Sequence, residues 1–112
     1  MFAMLMGLKT IAPRELHARM REASPTIIDL NAPAAWRKAH VPGALNLAPD
    51  HAASALPADL DTSLVFYCSN PLCTKAPRAA RRARQLGYTD VRVMSAGITG
   101  WVDARLPVAS AS

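Results

Sequence analysis

Features that define several protein classes are scarce in this sequence of 112 residues. Its two cysteines are too few for the disulfide framework of a small secreted domain, and they fall two ligands short of a structural zinc site. His17, His40 and His51 are the available additional ligands, but they have no repeated ligand spacing. We therefore expect no metal and no organic cofactor. A functional thiol in a reducing, cytoplasmic location is the simpler expectation.

Long apolar and long basic stretches are also missing. The apolar runs are far shorter than a membrane-spanning helix, so we expect no membrane association. Residues 1–8 are largely apolar, but no charged segment precedes them and no clear cleavage site follows, which favours a ragged start over a signal peptide. The net charge of +5 is compatible with an anionic small-molecule substrate. Basic residues never occur more than two in a row and aromatic residues are only 5%, so we expect no nucleic-acid partner.

What remains is the composition of an ordinary globular protein, with 51% hydrophobic residues. A chain of this length forms one hydrophobic core and is too short for two domains. We predict a single domain over residues 1–112, with a core at about 9–108 and frayed ends at 1–8 and 109–112.

The stretch from Ser63 to Gly87 organises the rest of the chain. It begins with Leu-Val-Phe-Tyr at 64–67, an apolar run typical of a buried strand. Residues 68–74 are polar and contain a proline, which indicates a loop. Alanines at helical spacing then predict a helix, with Thr74 as its N-cap and Gly87 as its stop.

A cysteine, Cys68, lies where this strand ends and the loop begins. A loop followed by a helix N-terminus favours negative charge, and the same field lowers the pKa of a nearby thiol. The pattern therefore predicts an anion-binding site that contains a nucleophile. The alternative is a buried, inert cysteine at the end of a strand.

Strands alternate with helices along the whole chain. Predicted strands lie near residues 9–12, 26–30, 44–47, 64–67 and 91–94, and predicted helices near 13–23, 31–39, 52–56, 75–86 and 98–102. Such alternation indicates an α/β fold with a mainly parallel sheet and helices on both faces. Ligands bind such sheets at the carboxyl ends of the strands. Asp29 and Cys68 both end strands, so both are predicted at that edge.

Four separated motifs occur in a recognisable order. They are Asp29 at a strand end, His-Val-Pro-Gly-Ala-Leu-Asn at 40–46, Cys68 at a strand end, and Ala-Gly-Ile-Thr-Gly-Trp at 96–101 followed by Leu-Pro at 106–107. Together they resemble the rhodanese-like domain, the single-domain sulfurtransferase family, from about residue 11 to 108. The resemblance implies a central parallel sheet of about five strands. It also implies that Cys68 takes sulfane sulfur from a donor such as thiosulfate, carries it as a persulfide, and passes it to a thiol or cyanide.

Roles are also expected for the residues and partners around Cys68. The expected partners are a small anionic sulfur donor and thioredoxin or another thiol acceptor. We expect Asp29, solvated at its strand end, to order loop amides or a nearby cation, His40 to hydrogen-bond within a turn, and Arg78 to assist anion binding. The active-site loop that contacts the donor through its amides and side chains is Ser69, Asn70, Pro71, Leu72, Cys73, Thr74 and Lys75.

Two positions depart from the usual pattern of the family, and a third departs from the pattern of related enzymes. Asn31 and Cys73 stand where the family usually has basic residues, and Thr74 stands where the related phosphatases and arsenate reductases need an arginine. Phosphoryl chemistry is therefore disfavoured. The alternative to an enzyme is a non-catalytic rhodanese-fold module that binds a partner or senses oxidants through Cys68 and Cys73. Cys73 is either incidental or a resolving thiol, and a disulfide requires the two Cα atoms to approach within roughly 7 Å.

Overall fold

The structure is a computed structural model that describes Ala3 and residues 6–111. Within these residues, strands and helices alternate as the hydrophobic pattern predicts. The strands are β1 (Lys9–Thr10), β2 (Thr26–Asp29), β3 (Leu45–Asn46), β4 (Leu64–Tyr67) and β5 (Val91–Val93). The α-helices are α1 (Pro13–Glu22), α2 (Pro33–Lys38), α3 (Lys75–Gln85) and α4 (Gly97–Asp103), and a short 3-10 helix covers Ala53–Ala55.

The five strands form one sheet in the order β1-β5-β4-β2-β3, and every neighbouring pair is parallel. The predicted α/β class and strand number are thus confirmed. β4 occupies the centre, and all four of its residues are buried, as expected for an apolar strand covered on both faces. Asp29 pairs with Tyr67 in register, so the predicted meeting of the β2 and β4 carboxyl ends is also confirmed.

Alternation along β4 divides the core into two layers. Phe66 and Cys68 belong to one cluster of buried residues, whereas Val65 and Tyr67 belong to the other, because successive side chains of a strand point to opposite faces. We call these two sides of the sheet the Cys68 face and the Tyr67 face. Helix α3 covers the Cys68 face with four small residues, and Leu16 of α1 and Trp101 of α4 cover the Tyr67 face. The four residues of α3 are Ala76, Ala79, Ala80 and Ala83.

Thr74 and Gly87 lie at the two ends of α3, as predicted, but Thr74 does not cap the helix through its side chain. Thr74 occupies the N-cap position, yet its side chain makes no capping hydrogen bond. It has helix-like backbone angles (φ −98°, ψ −6°), whereas a capping threonine typically has an extended backbone. Gly87 follows the helix with φ +107°, a left-handed conformation that glycine adopts without steric cost.

The ends of the described chain are attached to the fold. Leu8 is buried and its N–H donates to the Ala3 carbonyl at 2.8 Å. Ala109 exchanges two backbone hydrogen bonds with His40, and the Ala111 N–H donates to the Arg37 carbonyl. The prediction of frayed ends stays a prediction, and residues 1, 2, 4, 5 and 112, on which part of it falls, lie outside the described part. In that part, no helix has the length and apolarity needed to cross a membrane.

Candidate active site

Cys68 lies directly after β4, at the carboxyl edge of the sheet. Its side chain is on the Cys68 face with Phe66 and is 2% exposed. The Cys68 carbonyl accepts a hydrogen bond from the Ile98 N–H at 3.0 Å, and the Ser69 carbonyl accepts one from Thr99 at 3.1 Å. The first turn of α4 therefore holds the start of the active-site loop in place.

Gly97 makes this close approach possible. A Cβ atom added to Gly97 would lie 2.5 Å from the Ser69 carbonyl carbon and 2.7 Å from the Asn70 nitrogen. The glycine also has a φ of +67°, which L-residues with side chains rarely adopt. The motif that contains this glycine thus has a structural function, because it allows α4 to contact the loop backbone directly.

Asn70 folds the loop into a turn. Its side-chain Oδ1 accepts from the Leu72 N–H at 2.9 Å, and its carbonyl accepts from the Cys73 N–H at 3.1 Å. The Leu72 and Cys73 amides were predicted to contact the sulfur donor, but here both donate hydrogen bonds to Asn70 within the loop. Pro71 and Leu72 are exposed at the loop tip, and Leu72 is 73% exposed, so the tip is open to solvent.

The loop brings the two cysteines together. Cys68 and Cys73 form a disulfide with a Cα–Cα distance of 6.4 Å and a sequence separation of 5. This distance satisfies the geometric requirement for pairing that the sequence left open. Cys73 is partly buried beside the Cys68 cluster. The site therefore contains a dithiol–disulfide pair in which one sulfur is deeply buried and the other lies nearer to solvent.

A small cavity adjoins the two cysteines. Its volume is about 10 Å³, which is the scale that holds one water-sized group. Most of its lining is apolar, and the residues that line it are Ala3, Cys68, Asn70, Pro71, Cys73, Ala76, Pro77, Val93, Met94 and Ser95. Ser95 is the unexpected member, because a single serine after a strand has no distinguishing sequence pattern.

The basic residues near the loop lie outside this cavity. Lys75 and Arg78 line a surface groove with Thr74, Asp50 and Arg82, and both are exposed. Among the described residues neither forms an ion pair. They add positive charge at the start of α3, close in the chain to Cys73, but the structure does not bring them into the enclosed space beside Cys68.

Asp29 lies on the other face, in a buried hydrogen-bond network. Its carboxylate accepts from the Tyr67 hydroxyl at 2.6 Å and from the Asn31 N–H at 2.7 Å, and the tyrosine oxygen accepts from the Val41 N–H at 3.0 Å. The expectation that Asp29 is solvated is wrong, because the residue is 0% exposed. Instead it orders the backbone after β2 and the segment before β3.

Burial changes the acidity of this network. It raises the pKa of Asp29 above the ordinary carboxyl value, while the hydrogen bonds from Tyr67 and Asn31 act in the opposite direction. Burial and the neighbouring Asp29 also raise the pKa of Tyr67. The tyrosine therefore remains protonated and serves as the hydrogen-bond donor to the aspartate.

His40 is a structural residue in this arrangement. Its ring stacks on Trp36 with a centroid separation of 4.2 Å, and its Nδ1 lies 2.6 Å from the Trp36 carbonyl. The predicted hydrogen bond near the turn is thus present. His40 does not line the cavity beside Cys68. Within the described residues there is also no cluster of three side chains suited to hold a metal ion.

Comparison with known proteins agrees with this geometry. Residues 12–104 match the rhodanese-like domain family, and the chain belongs to that family. The HTH-type transcriptional regulator Rv0324 of Mycobacterium tuberculosis is 34% identical over 100 residues, which are 88% of this chain and 43% of the regulator. The chain therefore spans less than half the length of this curated relative.

Solved structures share the fold. Thiosulfate sulfurtransferase from Pseudomonas aeruginosa is 27% identical with a TM-score of 0.82, covering 93% of this chain and 20% of that one. The human single-domain sulfurtransferase TSTD1 is 23% identical with a TM-score of 0.70, covering 84% of this chain and 95% of that one. These two neighbours show that the chain shares its fold with proteins that are named as sulfurtransferases.

Proposed function

We propose that this domain is a sulfurtransferase that carries sulfane sulfur on Cys68. The observation that carries the proposal is the position of Cys68 in the family fold, at the end of the central strand, beside a cavity the size of a single small group. Family membership and the sulfurtransferase neighbours support it.

The first half-reaction requires the reduced protein. The Cys68 thiolate attacks the outer sulfur of a thiosulfate-like donor, the donor S–S bond breaks, and sulfite leaves with the bonding electrons. Cys68 then holds the sulfur as a persulfide anion. Exposed Lys75 and Arg78 raise the local concentration of an anionic donor, which is the role that the surface groove supports best.

Two fates are open to the persulfide. An acceptor thiolate or cyanide attacks the outer sulfur, takes it, and leaves Cys68 as a thiolate. Alternatively, the Cys73 thiolate attacks the inner sulfur of the persulfide, which releases hydrosulfide and forms the Cys68–Cys73 disulfide. A dithiol reductant of the thioredoxin class then restores both thiols and is itself oxidised to a disulfide. A reducing cytoplasm is the setting that we propose for this cycle.

The Cys68–Cys73 pair also favours a second candidate, a redox-sensing module. The pairing distance of 6.4 Å and the exposed loop tip suit a switch that closes on oxidation. The transcriptional regulator that is 34% identical to this chain is consistent with a domain that reports redox state to a larger protein. In this alternative, oxidation forms the disulfide without any transfer of sulfur.

Intact-protein mass spectrometry separates the two candidates. The protein is reduced, freed of reductant and incubated with thiosulfate, with Cys68→Ser and Cys73→Ser as matched variants. A gain of one sulfur atom by Cys73→Ser, but not by Cys68→Ser, supports the sulfurtransferase; wild type should show the same gain or, where Cys73 has displaced the sulfur, a loss of two hydrogens. No gain by Cys73→Ser from thiosulfate, mercaptopyruvate or another persulfide donor, together with a loss of two hydrogens by wild type on mild oxidation, supports the redox module instead.

A further inference from the structure

The Ser95 hydroxyl is a buried polar group that the mechanism above does not use. Its Oγ atom is inaccessible to solvent and has no hydrogen-bond partner among the described residues. Leaving a buried hydroxyl unpaired is unfavourable, and in native proteins it calls for an explanation. The hydroxyl is therefore available to a ligand that this structure does not contain.

The sheet register places Ser95 beside Cys68. Phe66 of β4 pairs with Val93 of β5, and the Met94 N–H donates to the Phe66 carbonyl at 2.9 Å. Continuing this register by two residues brings Cys68 level with Ser95. Because side chains alternate, both residues lie on the same face as Phe66 and Val93. Their shared position on the cavity wall agrees with this placement.

The cavity has the size and the chemistry for one additional atom. Its volume of about 10 Å³ matches a single water-sized group rather than a whole oxyanion. Asn70 also lines the cavity; its side-chain oxygen accepts from the Leu72 N–H, and its amide NH2 group is a second donor on a side chain that is exposed. Among the described side chains of the lining, Ser95 offers the buried, unused O–H donor.

We propose that Ser95 donates a hydrogen bond to the outer sulfur of the Cys68 persulfide, which occupies this cavity. The inference rests on the proposed function and deepens it. A hydrogen bond to an ionised acceptor is stronger than one between neutral groups, so the contact favours the persulfide anion. The sulfite portion of the donor stays outside, because the cavity admits only the transferred atom.

The test compares Ser95→Thr with Ser95→Val in the full chain, each combined with Cys73→Ser so that Cys73 cannot displace the persulfide sulfur. These two side chains have nearly the same shape, and only threonine has a hydroxyl. The persulfide is loaded from thiosulfate, and the rate at which an alkylating reagent labels its outer sulfur is measured against pH by mass spectrometry. We expect Ser95→Thr to resemble wild type. We expect the midpoint for Ser95→Val to move upward by about one pH unit, which corresponds to a tenfold loss in stabilisation of the anion.

Two controls keep the result interpretable. Ser54→Ala changes an exposed serine in the 3-10 helix, and we expect it to behave as wild type. If thiosulfate does not load the protein, hydrosulfide is added to the Cys68–Cys73 disulfide of Ser95 variants that retain Cys73, where attack on the Cys68 sulfur yields the Cys68 persulfide and the Cys73 thiol. Failure with thiosulfate alone would count against the proposed function, whereas equal midpoints for Ser95→Thr and Ser95→Val by either route would overturn the role of Ser95.

Discussion

The last residue of the central strand and the residue that follows it have opposite surroundings. Tyr67 faces a network in which the Asp29 carboxylate, the tyrosine hydroxyl and the Val41 N–H are all hydrogen-bonded. Cys68 faces a cavity with a second cysteine and a hydroxyl that lacks a partner in the described chain. Satisfied buried polar groups stabilise a fold, whereas unsatisfied ones are the groups left for chemistry. The polar groups of the Tyr67 face therefore stabilise the fold, whereas those of the Cys68 face are available for the proposed reaction.

The largest effect that we predict is the loss of the nucleophile. Cys68→Ser removes the thiolate that accepts sulfane sulfur, so sulfur loading by mass spectrometry should disappear completely while the thermal unfolding curve stays cooperative. Cys73→Ser is the matched control and should retain single-turnover loading while losing oxidant-induced disulfide formation. Loading of Cys68→Ser would show that Cys73 is the nucleophile.

Gly97→Ala should lower both the stability of the fold and the rate of sulfur loading. The added methyl group meets the Ser69 backbone, and the left-handed φ of +67° adds a cost of about 1–2 kcal/mol for a residue with a side chain. We expect a fall of about 2 kcal/mol or more in the free energy of unfolding, measured with urea, together with slower loading. Gly43→Ala is a control for the conformational term alone, because Gly43 also has a positive φ but no atom lies within 4 Å of its added Cβ.

Tyr67→Phe should separate the two faces. The change removes the donor to Asp29 and the acceptor of the Val41 N–H, so the free energy of unfolding should fall by about 1–3 kcal/mol. Loading of Cys68 in the folded variant should remain within about twofold of wild type, because the Tyr67 side chain lies on the opposite face of the sheet from the Cys68 sulfur. A folded variant with no sulfur loading would mean that the two faces are coupled.

The smallest predicted effect is a pH dependence of stability. Because burial raises the folded-state pKa of Asp29 above the ordinary value of 3.8, this residue stabilises the fold most below that value. Its contribution then declines as pH rises through the folded-state pKa. Asp29→Asn cannot titrate, so its stability relative to wild type should increase with pH above about 3.8 in urea unfolding. A relative stability that falls with pH would show that hydrogen bonding outweighs burial.

The fold could be predicted from the sequence because the patterns that indicate its strands and helices are local. The apolar run at 64–67 and the alanine spacing of α3 each depend on residues close together in the chain, and they predicted a strand and a helix correctly. The carboxyl edge followed from the alternation of strands and helices. These features needed no knowledge of which side chains meet across the fold.

The parts of the site that the sequence did not reveal depend on distant pairs. Asp29 was expected in water because its main partner, Tyr67, lies 38 residues away. Ser95 was missed since its relation to Cys68 arises only from the β4–β5 register. The Cys68–Cys73 disulfide was an open possibility, because a loop sequence alone does not determine a Cα–Cα distance.

The alternation along β4 also has a consequence for how this chain tolerates insertions and deletions. A slip of β4 by one residue would turn every side chain to the opposite face. Cys68 would then lie against Asp29, and Tyr67 would point into the cavity beside the cysteines. The Tyr67 hydroxyl would then lose its carboxylate acceptor, and Asp29 would remain buried without that donor. The Tyr67–Asp29 hydrogen bond thus favours the native register of β4 over a register shifted by one residue, and with it the position of Cys68 on the cavity wall.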